Sequence, residues 1–166
     1  IFDRTLFVLG RAVIVAAPAG IIIWILANSY INDTSILYHC ASFLDPLANL
    51  MGLDGMILLA FILGFPANEI VFPIIIMGYL NMNTLIEIDD IGELRNLFIQ
   101  NGWTMVTAVS TLLFALVHWP CSTTCLTIKK ESGKWKWALV SIIIPTLLGI
   151  GICIIVANTM RLFGIQ

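Results

Sequence analysis

The chain has 166 residues, of which 60% are apolar and only 11% charged, with a formal net charge of −2. Soluble domains carry roughly 45–50% apolar and about 25% charged residues, so this composition excludes an ordinary water-soluble domain and points to the lipid bilayer as solvent. Eight basic against ten acidic residues leave no basic face to neutralise phosphates, which excludes a nucleic-acid partner.

A chain of this length holds about four to six crossings at roughly 20 residues each. It opens on Ile1 without an initiator Met, and its first apolar run is too long for a secretory leader, so it reads as part of a larger polypeptide. The four cysteines, Cys40, Cys121, Cys125 and Cys153, sit mostly in apolar runs without framework spacing, which argues against a disulfide scaffold.

In chain order, the uncharged run 12–32 follows Arg4 and Arg11 and predicts a first span. Residues 33–54 are acidic and broken by Pro46 and Gly52, and 37–51 has the apolar spacing of a helix lying along the membrane surface. The next run, 55–86, is apolar except for Glu69 and is interrupted by Pro66 and Pro73, so a span over about 55–80, broken at Pro66, is expected. The charged stretch 87–95 must be solvated. Residues 96–128 lack Asp, Glu, Lys and Arg and predict a span over about 103–128, broken at Pro120. Lys129, Lys130, Lys134 and Lys136 then form a basic loop before a final span over 137–160, flanked by Trp135, Trp137 and Arg161.

The lysine loop belongs on the cytoplasmic side, and Arg4 with Arg11 favours the same side for the first residues. That demands an even number of crossings between them, whereas three long apolar runs intervene. The preferred solution is that one proline-interrupted run turns back as a re-entrant hairpin; alternatively 37–51 crosses, or the two arginines face outside.

Gly64-Phe65-Pro66-Ala67-Asn68-Glu69 and His118-Trp119-Pro120-Cys121-Ser122-Thr123 resemble each other: an aromatic, then Pro, a small residue and a polar one. Paired interruptions of this kind point to a transport site. Proline removes an N–H and frees a carbonyl, which in lipid needs a protein partner, a water or an ion; the plainer reading is two kinks that shape packing. Glu69 is the sharpest residue, since a carboxylate at mid-membrane costs about 2.5–3.5 kcal/mol on insertion scales and asks for a cation, a proton or a wet cavity. A Glu facing the headgroups is the alternative.

Cys121 and Cys125 are spaced i, i+4, so a helix starting at Pro120 puts both sulfurs on one face among the hydroxyls of Ser122, Thr123, Thr124 and Thr127. A helix N-terminus also favours a thiolate. Against this stands the reading that small residues only let helices approach closely. His118 is a possible third ligand or proton carrier, and His39 in the acidic connection reads as a loop residue. The sequon Asn32-Asp33-Thr34 is short enough to arise by chance, and no nucleotide-binding, zincin or serine-hydrolase motif is present. The chain offers no catalytic machinery.

Three stretches carry a family resemblance: Phe2-Asp3-Arg4 through Gly10-Arg11-Ala12; Gly52-Leu53-Asp54-Gly55 through Glu69; and Trp119-Pro120-Cys121-Ser122-Thr123-Thr124 with Lys129 through Trp137. With these the chain resembles the C-terminal membrane part of the ferrous iron transport protein B family, the bacterial GTPase-linked iron importers, at its second gate-type segment. The resemblance implies that Cys121 lines the iron path and that Asn68 and Glu69 belong to it. It also implies a GTP-binding domain and a first gate segment elsewhere in the same polypeptide. Trp119 and Cys125 are departures from the family pattern.

The expectation is therefore an all-α, polytopic integral membrane bundle with Pro-interrupted helices, forming one gate-type module over 1–166. It is expected in a bacterial inner membrane, as half of a ferrous iron pathway and not as an enzyme. Cys121 and Glu69 are the expected ion contacts, with Asn68, Ser122, Thr123 and Cys125 supplementing them. Fe²⁺ would be cargo rather than a permanent cofactor, and a homo-oligomer is possible. The alternative is a nucleoside or small-solute carrier on the same module, with Asn68, Glu69, Ser122 and Thr123 bonding the solute.

Overall fold

The protein is described by a computed structural model covering residues 2–31, 34–82, 84–85, 88 and 90–164. Among the described residues its regular structure is helical apart from one two-residue ladder. The helices are α1 (Phe2–Asn28), α2 (Ile36–Leu50), α3 (Gly55–Leu63), α4 (Val71–Tyr79), α5 (Ile91–Gln100), α6 (Met105–Val117), α7 (Ser122–Ser132) and α8 (Trp135–Leu162). The ladder pairs β1 (Tyr30–Ile31) antiparallel with β2 (Thr34–Ser35) between α1 and α2. The side chains of Arg4 and Arg11, and the sequon residues Asn32 and Asp33, lie outside the described set.

Four helices begin at a side chain that accepts from an otherwise unpaired first-turn N–H. Ser35 caps α2 through Tyr38 N, Asp54 caps α3 through Ile57 N, Asp90 caps α5 through Gly92 N and Glu93 N, and Thr104 caps α6 through Thr107 N. Gly133, at φ 70°, closes α7 in the left-handed conformation that glycine adopts without a Cβ penalty. Lys129 Nζ then lies 3.9 Å from the centre of the Trp135 ring, a cation–π contact across this turn.

Two prolines read as interruptions do not interrupt. Pro46 lies inside α2, which runs on to Leu50. Pro73 is the third residue of α4, in the first turn, where a missing N–H removes no intrahelical bond.

At the centre of the molecule, α3 and α4 fold back on each other. A Cβ added to Gly78 would meet Met56, and one added to Gly64 would meet Val71, so the end of each helix faces the start of the other and the pair is an antiparallel hairpin. Each helix has nine residues, about 14 Å of rise against a hydrocarbon core of about 30 Å, so neither crosses alone. Residues 55–61 of α3 are all buried, as are Val71 and 74–77 of α4. A helix apolar all round must be enclosed, and this hairpin is the core the others enclose. The chain arrives by turning 108° between α2 and α3.

Outside the hairpin, α6 with α7 (Met105–Ser132) and α8 are long and apolar enough to cross a membrane. On α8 the small residues Ala138, Gly149, Cys153 and Ala157 are buried, while Leu139, Ile143, Leu147, Leu148 and Ile155 are exposed. This is the arrangement expected in lipid, where tails solvate large apolar side chains and small residues let helices approach. Cys153 Sγ donates to Ser110 O of α6 at 3.5 Å, and a Cβ on Gly149 would lie 3.3 Å from the Phe114 ring. Arg161, near the end of α8, donates to Asn49 O at 2.8 Å.

Candidate functional site

The two proline breaks meet. In the first, α3 closes on Gly64 N–H to Ala60 O at 2.8 Å, a turn follows with Ala67 N–H on Gly64 O at 3.0 Å, and the single-turn 3₁₀ segment Asn68–Ile70 leads into α4. In the second, His118 N–H on Phe114 O at 2.8 Å ends α6, and Trp119 and Pro120 lead to Cys121, the extended residue that caps α7. Between them, Ser122 N–H donates to Phe65 O at 2.8 Å, and Ser122 Oγ donates to Pro66 O at 3.4 Å.

Pro66 and Pro120 thus do different things. At Pro66 the chain reverses, whereas Met105–Ser132 continues as one apolar stretch past Pro120. Both breaks lie against the buried hairpin, which agrees with the rule that non-helical backbone at membrane depth is tolerated only where protein or a cavity encloses it.

Cys121 is half-buried, and its sulfur lies 3.1 Å from Thr123 Oγ1 and 3.2 Å from Thr124 Oγ1. Two hydroxyls and the open N-terminus of α7 around one sulfur are a setting that accommodates a thiolate. Cys125 is 5% exposed, and its Sγ donates to Pro120 O at 3.6 Å. Cys121 is the cap of α7 and Cys125 lies within the helix, and the two sulfurs have different hydrogen-bond partners. Thr123 is half-buried beside Cys121, and Ser122 is buried with its hydroxyl turned to Pro66 O. Asn68 and Glu69, on the 3₁₀ turn, are exposed. Among the described residues no three His, Cys, Asp or Glu side chains gather as metal ligands.

A cavity of about 830 Å³ opens beside the second break, lined by Asn68, His118, Trp119, Pro120, Ser141 and Pro145 among others; neither Cys121 nor Glu69 lines it. His118 Nδ1 donates to Ala115 O at 2.8 Å, and its Nε2 is buried without a partner, as is Trp119 Nε1. His39 pairs with Thr34 Oγ1 at 2.7 Å and belongs to the β1–β2 junction.

Sequence reasoning missed the polar groups at the open end of the hairpin. Tyr79 OH donates to Asp54 and accepts from Trp103 Nε1 at 2.7 Å, while Asp45 accepts from Gly55 N–H at 2.8 Å. Asp45, Asp54 and Tyr79 line a cavity of about 440 Å³ with Tyr38, Ser42 and Asn81. The signal in the sequence was an aspartate directly before an apolar run, the mark of an N-cap.

Broken helices clasped inside a helical bundle with a lipid-facing exterior define a multi-pass membrane protein of the gate type. The chain belongs to the Gate family, described as nucleoside recognition, whose family model matches residues 9–135. It is 28% identical over 137 residues to an Fe(2+) transporter FeoB of Staphylococcus aureus (strain MSSA476), covering 76% of this chain and 19% of that protein. It is 30% identical over 116 residues to FeoB of Methanocaldococcus jannaschii, covering 69% of this chain and 16% of the relative. A fusion of Fe(2+) transport protein A with FeoB from Porphyromonas gingivalis is 27% identical over 120 residues, with 68% and 14% covered. The resemblance to the ferrous iron transport protein B family thus holds, and the chain spans only 14–19% of the length of these relatives. No solved structure matches it.

Proposed function

We propose that this chain is a permease segment for ferrous iron uptake, forming half of the ion pathway of a GTPase-linked importer in a bacterial inner membrane. The observation that carries this reading is the meeting of the two breaks at Ser122 and Phe65, with a hydroxyl-supported cysteine on one side and the Asn68–Glu69 turn on the other. Cys121 supplies sulfur and Glu69 a carboxylate, with Asn68, Thr123 and Cys125 as secondary contacts. Sulfur with carboxylate suits a borderline ion such as Fe²⁺ better than Mg²⁺ or Ca²⁺, which prefer oxygen alone. Iron passes as cargo and needs no permanent site. The GTP-binding domain and first gate belong to the rest of the polypeptide.

The geometry supports a topology. The base of the α3–α4 hairpin carries Asp54 and Tyr79, and the α7–α8 turn with the lysines follows at the far end of Met105–Ser132. Gly20, Ile23 and Trp24 of α1 line a cavity with Met77 near the hairpin base, so α1 starts toward the lysine end. In this arrangement α1 and α6–α7 cross, the hairpin dips and returns, and the even count required by the positive-inside rule is met with the lysine loop in the cytoplasm.

A nucleoside or small-solute carrier is the second reading, favoured by the family description and by the 830 Å³ cavity with Asn68 on its wall. One experiment separates the two: iron uptake by cells that depend on the full-length protein, with Cys121→Ala and Glu69→Gln. The iron reading expects Cys121→Ala to lose about tenfold or more in apparent affinity, the scale on which metal sites respond to lost support, and Fe²⁺ to protect Cys121 from maleimide. Wild-type uptake by Cys121→Ala without protection would overturn it in favour of a solute carrier.

A further inference from the structure

We infer that Ser122 is the positioning residue that clasps the two helix breaks, acting through its main-chain N–H, and that it is not an ion ligand; this rests on the pathway reading above. The N–H groups of a helix's first turn have no intrahelical partner, and Ser122 is the first residue of α7. On the other break, Phe65 O lies past the last turn of α3, where Pro66 has no N–H to continue the ladder. An orphan donor and an orphan acceptor, 57 residues apart, satisfy each other at 2.8 Å, in surroundings where an unmet backbone group is costly.

The side chain is buried and its one donor is committed to the other break. Ser122 is 8% exposed, and its hydroxyl is turned to Pro66 O at 3.4 Å. The shorter amide bond dominates, so the residue's identity matters less than its N–H. Cys121 directly precedes this anchor, and Glu69 follows Pro66 by three residues. Holding Ser122 to Phe65 therefore sets the position of the cysteine relative to the Asn68–Glu69 turn.

Proline tests this cleanly, because it is favoured at the first helical position and removes only an N–H that the helix itself does not use. Cys121, at φ −61° and ψ 159°, already has the extended conformation that a residue before proline requires. In the full-length protein in membranes, Ser122→Pro should raise the half-saturating Fe²⁺ concentration about tenfold, with a smaller change in maximal rate, and weaken iron protection of Cys121 in parallel. Ser122→Ala, which keeps the amide, should lose about threefold or less by the lost weaker bond. Hydrogen exchange on the wild-type protein gives a readout free of mutation: the Ser122 amide should be protected, unlike a frayed helix start.

The clasp is overturned if Ser122→Pro matches wild type, if Ser122→Ala loses as much as Ser122→Pro, or if the Ser122 amide exchanges as fast as a free helix end. Failure of the iron reading looks different: Cys121→Ala transports normally while the Ser122 amide stays protected.

Discussion

Gly52 packs directly against Ser110: a Cβ at residue 52 would lie 2.7 Å from Ser110 Oγ and 2.8 Å from Ala157 Cβ, and the backbone there has φ +77°. The link from α2 to the central hairpin thus passes through a gap between α6 and α8 that admits only a hydrogen. Gly52→Ala should destabilise the fold by roughly 2–4 kcal/mol, the sum of left-handed strain and overpacking. Thermal unfolding of the detergent-solubilised protein measures this. Gly52→Ala with Ser110→Gly should recover part of the loss, because the two sites are in contact and their effects are not additive.

The chain Trp103–Tyr79–Asp54 locks the open end of the hairpin. Tyr79→Phe deprives Asp54 of one donor and leaves the indole N–H of Trp103 without its acceptor. The expected cost is about 1–3 kcal/mol in unfolding free energy. Trp103→Phe, which removes only the outer link, should cost less. Equal stability of Tyr79→Phe and wild type would show that this network contributes nothing.

The hydroxyls of Thr123 and Thr124 support the Cys121 sulfur. Replacing both by valine keeps the side-chain shape and removes the hydrogen bonds. The double variant should need about tenfold more Fe²⁺ to protect Cys121 from alkylation, as for other outer-shell partners of a metal ligand. Unchanged protection would mean that the sulfur works without them.

Topology is open to direct labelling. Cysteines placed at the exposed positions Glu131 and Gln100, one at the end of α7 and one at the end of α5, should react with an impermeant maleimide from opposite faces of the membrane. Glu131→Cys should label from the cytoplasm and Gln100→Cys from outside. Labelling of both from one face would show that α6–α7 does not cross.

Much of the architecture was legible in the residues. Apolar composition identified the solvent, runs of uncharged residues located the helices, and the Phe-Pro and Trp-Pro pairs marked both breaks, because each depends on local composition or on a missing N–H. Pro46 and Pro73 look the same as Pro66 in a hydropathy pattern, yet they leave helices intact: Pro73 sits in a first turn with no bond to lose, and α2 runs on to Leu50 without the one bond Pro46 cannot donate. Glu69 and Cys121 stood out as chemistry in an apolar setting, while the hydrogen bond from the Cys125 thiol to Pro120 O could not be read from its i, i+4 spacing.

Tertiary structure alone decided that the chain reverses at Pro66 and continues at Pro120, that the shortest and most apolar helices form the centre, and that Phe65 and Ser122 are partners. A proline announces that backbone groups are set free. Where they find their complements depends on which segments pack together, and that is a property of the whole fold, to which a local pattern is blind.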